Sequence, residues 1–197
     1  MTDPVVVPVT VAAAGGGLLR ALAGLSADRL ATARVVAAAK WESGGPIDDP
    51  GREREVLASV RALAARSGAD PEAVVRVLRD QIEAHKTVQR ALHRHWRAHP
   101  RQAPAHAPDL AGARQEIDRV NEDLVRLIAR SAGTRAAPSC PSALAVAVRR
   151  TARSRHLDPL HTRALTRAVR SLCTPGPLTT TTPDQHHGTA HANHHNT

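Results

Sequence analysis

The sequence predicts an all-α protein of about six helices, and three observations carry that prediction. Apolar residues recur at helical spacing through the whole central stretch. Alanine, the best helix former and a poor strand former, supplies 37 of the 197 residues. The dipeptide Asp-Pro occurs three times at the head of such a stretch, where Asp is a good N-cap and Pro is accepted at the first helical position. Phe and Tyr are absent, so the core must be built from Leu, Val, Ile and Ala. No segment alternates as a strand would, and the composition argues against a large β-sandwich. No run of 18 apolar residues exists, so no membrane-spanning helix is expected.

The elements follow in order. Leu18, Leu22, Leu25, Leu30 and Val35 or Val36 mark a first helix over roughly 17–42, stopped by Ser43-Gly-Gly-Pro46. Asp49-Pro50 opens a second, running to about Arg66. Asp70-Pro71 opens a long third, about 71–98, with Val74, Val77, Leu78, Ile82, Val88, Leu92 and Trp96 at apolar positions. Asp109 is the expected cap of a fourth, whose core positions are Ile117, Val120, Leu124, Leu127 and Ile128. A fifth covers roughly 141–155. The sixth, roughly 159–172, starts at Asp158-Pro159.

Three stretches lie outside this pattern. Residues 1–16 hold an apolar run from Val5 to Ala14 with a cleavage-like Ala12-Ala13-Ala14, yet Asp3 is the only charge before it. They read as a leader-like segment or a disordered N-terminus. Residues 99–108 carry prolines at 100, 104 and 108 and read as an extended, non-helical connector inside one domain over 17–173. From Thr174 a Thr-rich stretch leads to His186, His187, His191, His194 and His195, too poor in apolar surface to order itself. Cys140 and Cys173 lie 33 residues apart with no CxxC and no neighbouring histidine cluster, so no metal site is expected. They are either two buried thiols or one disulfide.

Charge narrows the function classes. Lys plus Arg number 27 and Asp plus Glu 18, a net charge of +9. No long basic run and no interleaved aromatics accompany it, which argues against nucleic acid; the charge is either the solvated surface of an arginine-rich chain or a match for an anionic partner such as a small polyanionic substrate. Only Lys40 and Lys86 are lysines; the other 25 basic residues are arginines. A lysine kept in such a chain suggests that a compact point charge is wanted. Arg29 precedes Lys40 by 11 residues, which places both within about 20° of one helix face and about 16 Å apart along it. Two long side chains at that separation can reach one cavity. On the third helix Gln81, His85 and Gln89 form a polar ladder beside an apolar face, lining a cavity or bordering solvent. Asp49, Arg52 and Glu53 crowd the start of the second.

The order and spacing of these elements resemble the all-helical chorismate mutases. The resemblance rests on Lys40-Trp41 at a helix end, Pro46-Ile-Asp-Asp-x-x-Arg52-Glu53 opening the next helix, Asp80-Gln-Ile-x-x-x-x-x-x-Gln89 on the third, and Asp109-Leu-x-x-x-Arg114-x-x-Ile117-Asp118-x-x-Asn121 on the fourth. Ala137-Pro-Ser-Cys140, Arg153-Ser-Arg-His-Leu-Asp158 and Cys173 are similar to the monofunctional, exported subclass, whose two cysteines are disulfide-bonded. The likeness covers about 18–173.

The resemblance implies a type II helical bundle that converts chorismate to prephenate by an intramolecular Claisen rearrangement, with no cofactor and no metal. It implies Arg29 and Arg114 on the substrate carboxylates, Lys40 on the ether oxygen and a carboxylate, and Gln89 as second donor to that oxygen. Arg52 becomes a pocket arginine, and Asp49 and Glu53 stand near the ring hydroxyl and that arginine. The resemblance also implies His85 as a substrate-binding residue, at a position where Thr or Ser is common and contacts a substrate carboxylate; Val56 stands where some relatives have Gln. It further implies a secreted or periplasmic homodimer with neither nucleic acid nor membrane as partner, although the atypical leader leaves a cytoplasmic location open. The alternative is a catalytically silent helical module whose basic surface engages an anionic partner.

Overall fold

In the computed structural model, which describes residues 9–106 and 108–173, eight α-helices follow one another, with no strand among the described residues. They are α1 (Val9–Ala31), α2 (Ala33–Ser43), α3 (Pro50–Arg66), α4 (Pro71–Ala98), α5 (Leu110–Arg130), α6 (Ala132–Ala136), α7 (Cys140–Ser154) and α8 (Pro159–Ala168). The three Asp-Pro signals work as expected. Asp49 accepts from the Arg52 N–H (3.0 Å), Asp70 from Glu72 N–H (2.9 Å) and Asp158 from His161 N–H (2.7 Å), each with its proline in the first turn. Asp109 occupies the N-cap position of α5 but makes no capping hydrogen bond. At the end of α2, Gly44 takes the left-handed conformation (φ 65°) that a side chain rarely adopts.

Four boundaries differ from the sequence reading, one of them the sixth predicted helix, which ends at Ala168 rather than near residue 172. The first predicted helix is two, because the Thr32 hydroxyl donates to the Arg29 carbonyl (2.8 Å) and interrupts the ladder for one residue. Helix α1 also extends upstream of residue 17, to Val9. The connector, read as unable to be helical, contains one 3-10 turn at Pro100–Gln102, where Pro100 needs no N–H donor. The short α6 has no counterpart in the sequence reading. Residues 1–8 of the leader-like segment and the tail from Thr174 with its five histidines lie outside the described residues.

Helix α4, 28 residues long, is the axis: α1, α2, α3, α5 and α8 all pack on it. Leu22, Leu30, Val74, Leu78, Leu124, Ile128, Leu165 and Leu172 form the buried centre. A second small cluster decides where Lys40 goes. Trp41 and Trp96 meet edge to face, with ring centroids 5.7 Å apart, over Ala37 and Ala38, and His93 Nε2 bonds the Ala37 carbonyl (2.8 Å). This fixes the end of α2 against the end of α4. A disulfide joins Cys140, the first residue of α7, to Cys173 beyond α8, with Cα atoms 5.8 Å apart.

Candidate active site

One cavity of about 670 Å³, counted with its open mouth, lies between α1, α2, α3, α4 and α5. Arg29, Lys40, Asp49, Arg52, Glu53, His85, Gln89 and Arg114 all line it, so every site residue expected from the sequence faces one space. Val36, Ile47, Val56, Ile82, Leu110 and Ile117 supply apolar wall.

Arg29 sits deepest, 4% exposed. Its Nε donates to Asn121 Oδ1 (2.9 Å) and its Nη1 to the Gln81 carbonyl (3.0 Å), so two neutral acceptors aim the guanidinium. Burial pushes its pKa down to about 10, with Asp118 opposing, so it stays protonated at neutral pH. Lys40 Nζ donates to the Ile47 carbonyl (2.7 Å), tying the end of α2 to the loop before α3. Burial lowers the Lys40 pKa below its ordinary value against the pull of Asp49, Asp48 and Glu53, and Arg114 lowers it further. Arg114 is exposed at the rim and makes no ion pair among the described residues. Arg52 Nη2 donates to both carboxylate oxygens of Asp118 (3.2 Å each), and its Nη1 reaches Glu55 (3.3 Å).

The polar ladder of α4 divides. Gln89, 2% exposed, and His85, 6% exposed, face the cavity. Gln81 does not: its Nε2 donates to Ser26 Oγ (2.7 Å) and to the Ala168 carbonyl (3.1 Å), between α1 and α8. Each i to i+4 step turns about 40°, so Gln81 and Gln89 point about 80° apart. His85 Nε2 lies 3.1 Å from Thr32 Oγ1, and its Nδ1 lies 2.7 Å from Gln89 Nε2. Burial, then Arg29 and Lys40, hold the His85 pKa well below 6.5, so the ring is neutral.

Lys86 was not singled out from the sequence. It is 8% exposed and its Nζ meets Asp48 (3.1 Å), Glu53 (3.0 Å) and Glu83 (2.5 Å). Burial opposes its charge, but the bonds from Glu83, Glu53 and Asp48 prevail and raise its pKa. The scarcity of lysine that picks out Lys40 applies equally to Lys86. Thr32 was missed as well; a threonine three residues after a buried arginine was the available sign.

The fold and the cavity define an all-helical protein in which cations, from the buried Arg29 through the half-buried Lys40 to the exposed Arg114, converge on one cavity. Comparison with known proteins agrees. The family pattern "chorismate mutase type II" matches residues 20–90. The chain is 42% identical over 148 residues to a secreted chorismate mutase of Mycolicibacterium smegmatis, covering 75% of this chain and 82% of that protein. It is 39% identical over 166 residues to a secreted chorismate mutase of Mycobacterium tuberculosis, covering 84% and 83%. The crystal structure of a chorismate mutase from Burkholderia thailandensis superimposes with a TM-score of 0.76 at 38% identity, covering 79% of this chain and 99% of that one. The chain belongs to the all-helical type II chorismate mutases.

Proposed function

We propose that this protein is an isomerase that rearranges chorismate to prephenate in the cavity described above. The observation that carries the reading is the convergence of Arg29, Lys40 and Arg114, none of them in an ion pair among the described residues, on the same cavity as the buried amide of Gln89. The reaction breaks one C–O bond and forms one C–C bond within a single molecule, so the protein has two tasks. It holds the dianion in the reactive chair. It also stabilises the charge that develops on the departing ether oxygen.

In this reading Arg29 and Arg114 take the two carboxylates, Lys40 donates to the ether oxygen and a carboxylate, and Gln89 donates the second N–H to that oxygen. Arg52 and Asp49 complete the wall on the α3 side, and Glu53, held by Lys86, keeps the ring hydroxyl in register. The catalytic domain is residues 17–173. Export is supported by the secreted relatives and by the disulfide, which suits an oxidising compartment. A homodimer with each pocket inside one chain follows from the same family reading, and light scattering on the purified protein tests it.

The decisive assay follows loss of chorismate absorbance with the full chain at neutral pH, with NMR identification of prephenate as the product. Turnover that disappears in the Lys40→Ala protein supports the reading. A folded chain that binds chorismate and leaves it unchanged would overturn it in favour of a silent binding module.

A further inference from the structure

We propose that His85 is a positioning residue: braced by Thr32, it orients the Gln89 amide so that an N–H is left for the substrate's ether oxygen. This role rests on the chorismate mutase reading above. One chain of buried polar atoms assigns every proton in turn. Thr32 Oγ1 lies 2.8 Å from the Arg29 carbonyl, an oxygen that only accepts, so the single hydroxyl proton of Thr32 sits there. Towards His85 the same hydroxyl has only lone pairs to offer. The contact of 3.1 Å between Thr32 Oγ1 and His85 Nε2 therefore needs the ring proton on Nε2.

In a neutral imidazole that leaves Nδ1 as a bare acceptor. Burial, with Arg29 and Lys40 nearby, keeps the ring neutral. Only the NH2 end of Gln89 can satisfy that acceptor, and Gln89 Nε2 lies 2.7 Å from it. One N–H of Gln89 is thereby committed to His85 and one is left over. Gln89 Oε1 is buried and has no partner among the described residues, so nothing on the carbonyl side fixes the amide at the cavity wall. Without His85 the amide could turn over at little cost, and half of its orientations would present a carbonyl to an ether oxygen that cannot donate. Both ring nitrogens of His85 are engaged in this chain, so its contribution is made through Gln89 rather than by grasping a carboxylate.

Two measurements decide it. Long-range ¹H–¹⁵N correlation spectra of the full chain, with the His85 signals identified by their loss in His85→Asn, report the tautomer without any substrate. The expected pattern is a protonated Nε2 and a bare Nδ1 at neutral pH; an Nδ1–H tautomer or an imidazolium overturns the proposal. In kinetics, His85→Leu should lower kcat about tenfold with KM changed by less than about twofold, the loss of roughly one oriented hydrogen bond. His85→Asn, whose Oδ1 can take the place of Nδ1, should recover kcat to within about threefold of the parent. Parent-like kcat in His85→Leu overturns the role, as does a well-folded His85→Asn no better than His85→Leu. A parent chain inactive on chorismate would overturn the function itself, which the parent assay reveals separately from the tautomer.

Discussion

Replacing Gln89 by glutamate exchanges one amide nitrogen for an oxygen and leaves the shape of a 2% exposed side chain unchanged. What it changes is the donor. An ionised carboxylate at this position has no proton for the ether oxygen, and the loss of one preorganised donor is worth about 3–4 kcal/mol, or about 10²- to 10³-fold in kcat. The position also faces His85 Nδ1 at 2.7 Å, so a carboxylate there would draw a proton onto the ring and the two groups would titrate as a pair. Arg29 and Lys40, which already depress His85, would favour the ionised carboxylate, whereas burial and the bound dianion would oppose it. Only the protonated form of the new carboxyl can donate, so kcat of Gln89→Glu should be lowest near about pH 8 and climb towards about pH 5 as the carboxyl takes up its proton. The parent should stay flat across that window, because an amide donates at every pH. Initial rates of chorismate loss at constant ionic strength, with kcat and KM resolved at each pH and melting curves for both proteins, make the comparison. Superimposable profiles would refute the reasoning: Gln89 would then not reach the reacting oxygen.

Three further expectations are simpler. Lys40→Ala should lose about 10²- to 10³-fold in kcat, by the same single-donor reasoning, while keeping the parent's far-ultraviolet circular dichroism; near-parental turnover in a folded protein would remove Lys40 from the site. Alkylation of unreduced protein should add no mass at Cys140 or Cys173, and reduction should cost about 3–4 kcal/mol in urea unfolding, the value for closing a loop 33 residues long; unchanged stability on reduction would count against a structural bridge. Lys40 binds its proton less tightly folded than unfolded, so its charge opposes folding below its folded pKa. Stability should therefore rise with pH from that depressed value up to 10.5, and urea midpoints of the parent and Lys40→Met across the alkaline range should diverge in that window.

The parts of the fold governed by local chemistry were legible in the sequence. Asp49, Asp70 and Asp158 each cap a helix because an aspartate followed by proline solves the first-turn problem without help from the rest of the chain. The convergence of Arg29 and Lys40 was legible because 11 residues make nearly three whole turns, and the one-residue interruption at Thr32 does not spoil that register. The interruption itself was hidden: Leu30 and Val36 both reach the core across it, so the apolar pattern runs on uninterrupted. The division of the α4 ladder was misjudged by treating i and i+8 as one face, where the accumulated drift sends Gln81 to Ser26 and Ala168 instead. Partnerships across the chain, such as Arg29 with Asn121 and Arg52 with Asp118, have no local signature, because they depend on where α5 lands after the proline-rich connector.

Those long-range pairings decide which charges are left over. Asp48 is held by Arg90 (2.6 Å) and Lys86, Glu53 by Lys86, and Asp118 by Arg52, so these carboxylates around the cavity are already matched. Among the described residues Arg29 and Lys40 bond neutral oxygens only, and Arg114 stands unpaired. Burial lowers the pKa of both Arg29 and Lys40 and outweighs the pull of Asp118 on the one and of Asp49, Asp48 and Glu53 on the other, so the fold compensates this charge only in part. An arriving dianion compensates it: at about 4 Å and an effective dielectric near 20, each new pair is worth about 4 kcal/mol before desolvation. Attraction of that kind is felt equally by substrate and transition state and does not raise kcat by itself. Only groups that strengthen their hold as the ether bond breaks can do so. Loss of the rim arginine, Arg114, should therefore appear mainly in KM, and loss of Lys40 or Gln89, the two donors proposed for the departing oxygen, mainly in kcat.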